Sequence, residues 1–548
     1  MKLGRPPRFR SGPVAPILLG LSCFVAFSFL TPGITVTPAQ AAPSGSAPSY
    51  LLPAALAAPW AQRVDYLPNL FAQVTNVSAD SAPVQVYVNL WPTNLSMFQS
   101  GTRPLLSPAE FESRYSPAPD TYSSLESYFT SRGWSVLHAW PNRMALTVVG
   151  PASSVPATFG AALERGVWEG HQVVFPSALP RLPGPWSGIV ASITGLSEGF
   201  SSPVIPLHRI AASVLASTPS SLQVRTTNFT QPVNTHLIYG MDGLFNYSGS
   251  PHWATGNGIA LVLWGWGYNP ADLQTFFAQD YPSGFPQPTI TPERVDNAPA
   301  PSANSVNDPS GAPFELTLDI EWAGSAAPGA TLYPTYAPDG MDPNTNYSPT
   351  STSLEDALQQ AIGLPNVRAV SMSFGLDEGS DPGLQATFET DFSIGASQGI
   401  TFLAASGDTG GAVRSNGSCT NQANPQYPGS SPQVISVGGT EPILAQSVSG
   451  TVTGLDSEPA WSFSGGGFSQ QYSAPSWQEV GSAQPPVSQN GHRGIPDVAA
   501  AAAYNFVYYG GQNAAGSGTS FGSPLWAGIV TEMDAVRGTP FGFLNPRL

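Results

Sequence analysis

The chain has 548 residues, and its 35 acidic and 19 basic side chains give a formal net charge of −16. Nucleic acids and anionic membrane surfaces bind clustered Lys and Arg, so this balance argues against both as partners. Two cysteines exclude a disulfide-rich scaffold and a zinc site built from cysteines. Hydrophobic residues make up 41% of the chain, enough for a sizeable core.

The N-terminus has the pattern of an export signal. Basic residues from Lys2 to Arg10 precede an apolar run at 15–30, and Ala39-Gln40-Ala41 forms a cleavage site of the A-x-A type. We therefore expect a signal peptide over 1–41 and a secreted, extracellular protein with no membrane contact after cleavage. The alternative is an uncleaved membrane anchor, although the run is shorter than the roughly 20 residues of a typical span.

The next part of the chain predicts a small α+β unit from about Val84 to Gly195, after a Pro/Ala/Ser-rich linker at 42–60. Ser107 and Glu110 have the spacing of a capping box, with proline at the first helical position. Residues 198–232 are rich in Ser, Thr and Pro and are interpreted as a linker. The expected strands cover 84–90, 135–140 and 143–150, and the expected helices begin at Ser107, cover 120–132 and lie near 152–163.

The remainder predicts a doubly wound, mostly parallel α/β sheet, because short apolar strands alternate with helical windows. Ligands of such sheets bind beyond the carboxyl ends of the strands, where the motifs below are found. The expected strands are 258–265, 330–336, 368–375, 400–407 and 433–439. The expected helices are 270–279, 315–326, 353–363, 384–398 and one from about Ser520.

A small-residue turn, Gly518-Thr519-Ser520, leads to an apolar helical segment at 525–530. A serine hydroxyl at a helix N-terminus lies near backbone N–H groups that favour developing negative charge. Ser520 is therefore a candidate nucleophile, and the alternative is an ordinary N-cap serine.

A serine nucleophile needs a base, and none of the six histidines lies in a small-residue catalytic motif. Glu315 and Asp319 offer another one, since the i, i+4 spacing places both carboxylates on one helix face. Such a pair shares a proton at mildly acid pH, where histidine would already be charged. The alternative is a solvated acidic face, although the flanking residues are apolar.

Asp408 lies in a glycine-rich loop directly after the strand at 400–405. When it is protonated, its carboxyl group can donate a hydrogen bond to an oxyanion, which a carboxylate cannot do. The alternative is a turn aspartate.

Together the three motifs resemble those of the sedolisin family, the serine-carboxyl peptidases with a subtilisin-like fold. The order E-x-x-x-D, S-G-D-x-G and G-T-S-x-x-x-P is the family's, and Arg493-Gly494-Ile495-Pro496-Asp497 matches a fourth landmark. Residues 84–195 resemble the family's pro-kumamolisin-type activation domain. The resemblance implies a ferredoxin-like activation pro-domain with linkers over 42–216 and a peptidase domain over 217–548.

The resemblance also implies the roles of the site residues. Ser520 would be the nucleophile, Glu315 the general base, Asp319 its proton-sharing partner and Asp408 the oxyanion donor. The segment Ser373-Phe374-Gly375 resembles the strand that binds substrate and lines the primary specificity pocket. We expect an acid-acting endopeptidase for protein or peptide substrates, made as a self-processing zymogen whose pro-domain is an intramolecular inhibitor, and acting as a monomer.

Three features depart from the family pattern. Trp264 stands where some members have a glutamate, and Phe374 stands where many have tryptophan. The resemblance also implies a calcium ion, but the chain ends at Leu548, before the position of the calcium-binding loop, so the ligands are expected to be absent. Tripeptidyl-peptidase activity, a catalytically dead secreted homologue and a non-functional truncated fragment remain open, whereas the lack of a suitable histidine argues against an ordinary subtilisin-type peptidase.

Overall fold

In a computed structural model of the chain, the described residues are 72–76, 83–94, 105–168, 171–197, 205–206, 230–279, 281, 284–340, 349–411, 425–448, 451–478, 488–489 and 491–548. The expected signal peptide, the linker at 42–60 and most of the linker at 198–232 lie outside them. No helix in this described part is long and apolar enough to cross a bilayer.

The N-terminal region forms a four-stranded antiparallel sheet with the order β3-β4-β2-β7. With two helices between the first and second strands, this is the ferredoxin-like arrangement that the sequence predicts. The bounds are β2 Pro83–Leu90, α1 Pro108–Tyr115, α2 Pro119–Thr130, β3 Ser135–Ala139, β4 Ala145–Pro151 and β7 Val190–Thr194. The predicted capping box of α1 is confirmed, because Ser107 and Glu110 bond to each other's backbone.

The predicted helix near 152–163 is too long. A short turn at 152–154 leads into α3, Val155–Phe159, and the helix ends at Gly160. Strands β5, Leu163–Trp168, and β6, His171–Pro176, follow as a hairpin, and β1, Ala72–Asn76, pairs with β5. The sequence does not predict these three strands.

Strand β2 separates two environments by simple alternation of its side chains. Val86 and Val88 face the pro-domain's own core with Leu125 and Phe129 of α2. Tyr87 belongs instead to the core cluster of the peptidase domain. The opposite face of the pro-domain sheet therefore packs on the peptidase domain.

The predicted peptidase domain is built on a parallel sheet. Its strands are β9 Gly258–Trp264, β10 Thr289–Ile290, β11 Glu293–Arg294, β12 Thr331–Ala337, β13 Val367–Met372, β15 Thr401–Ala405, β17 Ile435–Thr440 and β23 Val498–Ala501. Their order in the sheet is β10-β12-β9-β13-β15-β17-β23. The first strand, β9, is buried along its whole length, as expected for a sheet covered on both faces.

Helices cover both faces of this sheet, so the predicted α/β architecture is confirmed. Helices α7 and α10 pack together, whereas α8 and α9 lie against each other and against the pro-domain strands. The bounds are α4 Pro232–Ile238, α5 Asp242–Phe245, α6 Pro270–Gln279, α7 Ala312–Ala326, α8 Ser351–Gly363, α9 Pro382–Ser397 and α10 Gly522–Arg537.

The region from 426 to 516 contains more β-structure than the sequence predicts. Its short strands alternate weakly between polar and apolar residues, so they give little periodic signal. The bounds are β16 Gln426–Tyr427, β18 Ile443–Gln446, β19 Val452–Ser457, β20 Gly467–Ser473, β21 Ser488–Gln489, β22 His492–Ile495, β24 Asn505–Tyr509 and β25 Gln512–Gly516.

Candidate active site

Helix α7 carries both carboxylates of the predicted base pair. Glu315 and Asp319 lie one turn apart, and both are fully buried. Leu316 and Ile320 belong to the main core of the domain, whereas Leu318 and Trp322 belong to a second cluster on the side of α10. A helix that is apolar around its whole circumference is a buried helix, so the solvated-face alternative for this pair is wrong.

The environment of Asp319 favours its protonated form. Burial raises the pKa of Asp319 well above its usual range, and the neighbouring Glu315 raises it further. The Ser373 hydroxyl donates a 2.7 Å hydrogen bond to Asp319 Oδ1, which acts in the opposite direction.

Asp408 lies beyond the end of β15, in the turn opened by Gly407. Gly407 has a φ of 113°, and an added Cβ would lie 2.8 Å from Gln426 Oε1, so a larger residue would disturb this turn. The Asp408 Oδ1 atom accepts hydrogen bonds from the Thr519 backbone N–H at 2.8 Å and from the Thr519 hydroxyl at 2.9 Å. The turn that presents Asp408 is thereby tied to the residue before Ser520.

The second oxygen of Asp408 is placed differently. Within the described part of the chain, Asp408 Oδ2 is buried without a hydrogen-bond partner. Burial raises the pKa of Asp408 well above its usual range; the two bonds from Thr519 lower it and the charge of Glu315 raises it. A protonated carboxyl group held by one oxygen can donate through the other.

Ser520 lies where the sequence predicts, in a short 3₁₀ turn, Thr519–Phe521, directly before α10. It is fully buried. The ring of Phe521 packs edge-on against Trp322 of α7, with centroids 5.1 Å apart. Glycine at position 528 brings α10 close to α7, since an added Cβ there would lie 2.4 Å from the Cβ of Ala326. The serine turn and the carboxylate helix are therefore packed as one unit.

Ser373 joins the two halves of the site. Its Oγ lies 3.3 Å from the backbone oxygen of Ser520 as well as bonding to Asp319. The next residues form β14, Phe374–Asp377, in which Phe374 is buried with its ring edge-on to Trp264 at 5.9 Å. Trp264 and Phe374, the two residues that depart from the family pattern, thus contact each other.

A piece of the predicted linker lies along β14. Strand β8, Ile205–Pro206, pairs with it in antiparallel register, so that Pro206 is opposite Phe374 and Ile205 is opposite Gly375. An extended segment that adds a strand to an exposed edge is a common way for a cleft to hold a peptide. Residues 205–206 of the predicted linker therefore lie where substrate backbone is expected.

The structure brings Glu315, Asp319, Asp408, Ser520 and the segment 373–375 together. Thr519 and β8 were missed in the sequence analysis. Thr519 stands inside the G-T-S motif, so its position was visible but its contact with Asp408 was not. The landmark residues Arg493 and Asp497 form a buried ion pair, in which Arg493 Nη2 lies 2.5 Å from Asp497 Oδ2, and they serve the packing of β22 and β17.

The expectation of calcium stays a prediction. One group in the described residues has metal-ligand spacing, namely His138, Asp296 and Asp356, whose ligand atoms all lie within 4.8 Å of one another. Its carboxylate oxygens already accept hydrogen bonds from His138, Gln85, Ser353 and Thr147. Calcium prefers oxygen ligands, so this imidazole-containing and hydrogen-bonded group does not fit it.

Comparison with known proteins identifies two domain families. Residues 304–538 match the model of the subtilase family, and residues 82–198 match the activation domain of pro-kumamolisin. The boundaries predicted at 41, 216 and 217 are not tested by these matches.

The chain is also similar to individual known proteins. Kumamolisin from Bacillus sp. is 28% identical over 453 residues, which are 80% of this chain and 76% of that protein. Sedolisin from Pseudomonas sp. is 26% identical over 454 residues, 79% of this chain and 71% of that protein. The tripeptidyl-peptidase SED4 of Arthroderma otae is 32% identical over 264 residues, 43% of this chain and 41% of that protein.

Among solved structures, Pseudomonas sedolisin complexed with pseudo-iodotyrostatin has a TM-score of 0.47 and 25% identity, covering 58% of this chain and 84% of that chain. Residues 304–538 form a subtilase-family peptidase domain that follows a pro-kumamolisin activation domain at 82–198, and over most of its length the chain is similar to kumamolisin and sedolisin.

Proposed function

We propose that the protein is a secreted, acid-acting endopeptidase that cuts its own linker to become active. The observation that carries this proposal is the pairing of β8 with β14 beside Ser373, whose Oγ lies 3.3 Å from the Ser520 backbone oxygen. The linker is connected to a pro-domain on one side and to the peptidase domain on the other. Its placement supports inhibition in cis followed by cleavage of the same segment.

In the proposed reaction, Ser520 Oγ attacks the carbonyl carbon of the scissile bond while Glu315 takes the serine proton. Asp319 shares that proton with Glu315, and the tetrahedral oxyanion accepts a hydrogen bond from protonated Asp408. Glu315 then returns the proton to the leaving amine, and an acyl-enzyme on Ser520 is hydrolysed by water. The contact between Thr519 and Asp408 Oδ1 leaves Oδ2 to make the bond to the oxyanion.

Three buried carboxyl groups support an acidic working range. Asp319 and Asp408 have pKa values raised by burial, and Asp319 lies beside Glu315. The oxyanion bond requires Asp408 to keep its proton, and the base function requires the Glu315–Asp319 pair to have lost one. Activity is then expected between the ionisation of the pair on the acid side and the ionisation of Asp408 on the neutral side.

Endopeptidase activity is preferred over tripeptidyl-peptidase activity because of what occupies the cleft. Ile205 pairs with Gly375 and is preceded by more than 200 residues of chain, so we expect the non-primed end of the cleft to accept a continuous polypeptide. A tripeptidyl-peptidase instead needs a block there that holds a free N-terminus three residues from the scissile bond. The relative SED4 is a tripeptidyl-peptidase by name, so the experiment below distinguishes endopeptidase from tripeptidyl-peptidase activity.

The test uses the acid-treated protein with two peptides of the same internal sequence, one N-acetylated and one with a free N-terminus. An endopeptidase cuts both at the same bond between about pH 3 and pH 6, and the Glu315→Gln variant cuts neither. Release of tripeptides from the free peptide alone would support the tripeptidyl alternative. Cleavage of neither peptide by the wild-type chain at any pH would contradict the proposal and favour a catalytically dead homologue.

A further inference from the structure

A second pair of carboxyl groups lies at the carboxyl edge of the sheet, outside the candidate site. The loop after β9 contains Trp266, and two aspartates from different segments hold it. Asp308 Oδ2 accepts the Trp266 backbone N–H at 2.8 Å, and Asp339 Oδ1 accepts the Trp266 indole N–H at 3.3 Å. Both aspartates are more than nine-tenths buried.

Asp308 also shapes the start of the helix that carries Glu315. Its Oδ1 accepts the Ser310 N–H at 2.8 Å, and Ser310 Oγ accepts the Ala312 N–H at 3.1 Å. The N-cap residue itself is a glycine, which has no side chain to cap the helix. Asp308 and Ser310 therefore satisfy the backbone at the first turn of α7, three residues before Glu315.

The fit between β9 and this turn is tight. Gly265 has a φ of 103°, and an added Cβ would lie 2.7 Å from Asp308 Oδ2 and 2.9 Å from the Cβ of Ala312. A displacement of Asp308 would therefore be felt both by the end of β9 and by the first residue of α7.

Asp339 follows β12 and completes the pair. Burial raises its pKa to about 6, with further contributions from the charge of Asp308 and from a hydrogen bond with it, against a lowering by the Trp266 bond. Asp339 Oδ2 is buried without a hydrogen-bond partner among the described residues, so that a proton on it is available for donation. The remaining groups packed here are Ser305, whose hydroxyl donates to the Trp266 carbonyl at 2.6 Å, and Tyr509, whose pKa is raised to about 12 by burial, Asp308 and Asp272.

We propose that Asp308 and Asp339 are positioning residues that hold the Trp266 loop and the first turn of α7, and with it Glu315, in place while Asp339 keeps its proton. With the proton present, Asp339 donates to Asp308 and the Trp266 loop is held from both sides. When the proton is lost, two carboxylates face each other and the turn at 308–311 loosens. The expected effect on catalysis rests on the proposed role of Glu315, whereas the interaction between Asp308 and Asp339 does not depend on that role.

Two measurements test the proposal. In the Ser520→Ala precursor labelled with ¹⁵N-tryptophan, the Trp266 indole resonance, assigned with Trp266→Phe, is followed from pH 4.5 to 7.5. We expect it to titrate with a midpoint near the Asp339 pKa of about 6 and to be constant in Asp339→Asn, because asparagine keeps both hydrogen bonds without a titratable proton. A resonance that does not titrate, or that titrates equally in Asp339→Asn, overturns the pair.

The second measurement is the pH profile of kcat/KM for peptide cleavage. The fall toward neutral pH is expected to move to higher pH in Asp339→Asn, and Asp308→Ala is expected to lose about tenfold to a hundredfold in kcat through displacement of α7. The matched control is Asp272→Asn, a buried carboxylate that bonds instead to the backbone of Gly510 and Gly511 and should keep the wild-type profile. Superimposable profiles for wild type and Asp339→Asn overturn the positioning role. If the wild-type chain itself cuts no peptide, the proposed function fails, and the Trp266 titration still decides whether the carboxyl pair exists.

Discussion

The hydroxyl of Ser373 donates a 2.7 Å hydrogen bond to Asp319 Oδ1. This bond lowers the pKa of Asp319, which burial raises. Because Ser373 also lies 3.3 Å from the backbone oxygen of Ser520, a single side chain links the carboxylate pair to the serine turn. Its loss should therefore alter the protonation of the pair rather than the packing of the domain.

The first prediction concerns Ser373→Ala. Without the hydroxyl, the carboxylate form of Asp319 loses a stabilising hydrogen bond. Asp319 therefore keeps its proton to a higher pH. The acid limb of the kcat/KM profile should move to higher pH, and activity below that limb should fall about tenfold. Ser371→Ala is the matched control, since Ser371 bonds to Ser523 at 2.8 Å and not to a carboxylate. An acid limb that stays in place in Ser373→Ala would contradict the proposed coupling.

The second prediction concerns Thr519→Val, which removes the 2.9 Å hydroxyl bond to Asp408 Oδ1 and keeps the 2.8 Å backbone bond. We expect kcat to fall about tenfold to a hundredfold with little change in KM, because the orientation of the Asp408 carboxyl group matters only when the oxyanion forms. Thr519→Ser should restore most of kcat. A valine variant that keeps the wild-type kcat would contradict the role of this hydrogen bond.

The third prediction concerns the docking of the pro-domain. Thr147 and Gln85 of the pro-domain donate to the buried Asp356 of α8 at 2.5 and 3.2 Å. Burial raises the pKa of Asp356 well above its usual range, and Asp296 raises it further. A group whose pKa is raised on docking takes up a proton, so docking is strongest below the pKa of the undocked group and weakens as pH rises.

Hydrogen exchange of the Ser520→Ala precursor checks this directly. After correction for intrinsic rates, β2 and β4 should be better protected at pH 4.5 than at pH 7.5, and Asp356→Asn should remove most of the difference. The control is Asp120→Asn, an exposed carboxylate in α2. Better protection at pH 7.5 than at pH 4.5 would contradict the prediction.

The fourth prediction concerns stability at acid pH. Glu532 and Asp534 in α10 are buried, and burial raises their pKa values to about 8 and about 7. Because the folded state holds the protons of both groups more tightly than the unfolded state, ionising them at higher pH destabilises the fold. The free energy of unfolding should therefore decrease as pH rises from about 4 to about 8. In the Ser520→Ala background, Glu532→Gln should raise Tm at pH 7.5 by about 2–4 °C for each kcal/mol of charge burial avoided.

At pH 4.5 the same variant should be close to the wild-type chain, since Glu532 is then protonated. The control variant is Asp456→Asn, an exposed carboxylate in β19, which should leave Tm within about 1 °C at both pH values. A Tm of the parent chain that rises from pH 4.5 to pH 7.5 would count against this reading of the buried carboxylates.

The sequence predicts the elements that carry the site because they are strongly patterned. Continuous apolar strands such as β9 and the i, i+4 carboxylates of α7 can be recognised from a single chain. Weakly patterned elements are lost, including the hairpin β5–β6 and the short strands after 426. The helix predicted over 152–163 failed because Gly160 ends it early.

Contacts between residues that are far apart in the chain could not be predicted from the sequence either. Thr519 and Asp408 are 111 positions apart, and Ser373 and Asp319 are 54 apart. The motifs indicate that these residues matter, but which oxygen bonds to which donor follows only from the packing of α7 against α10. The pairing of Ile205 with Gly375 is likewise invisible in a stretch whose composition predicts only a linker.

The most direct test of the central claim is self-processing. The purified precursor, Ser520→Ala and Ser523→Ala are incubated from pH 3 to pH 8 and analysed by mass spectrometry; Ser523 is the control, a buried hydroxyl three residues on that bonds to Ser371. We predict that the wild-type chain and Ser523→Ala lose the pro-domain at acid pH by cleavage a few residues beyond Pro206, and that Ser520→Ala stays intact. Cleavage of all three proteins at the same bond, or of none of them, would contradict it.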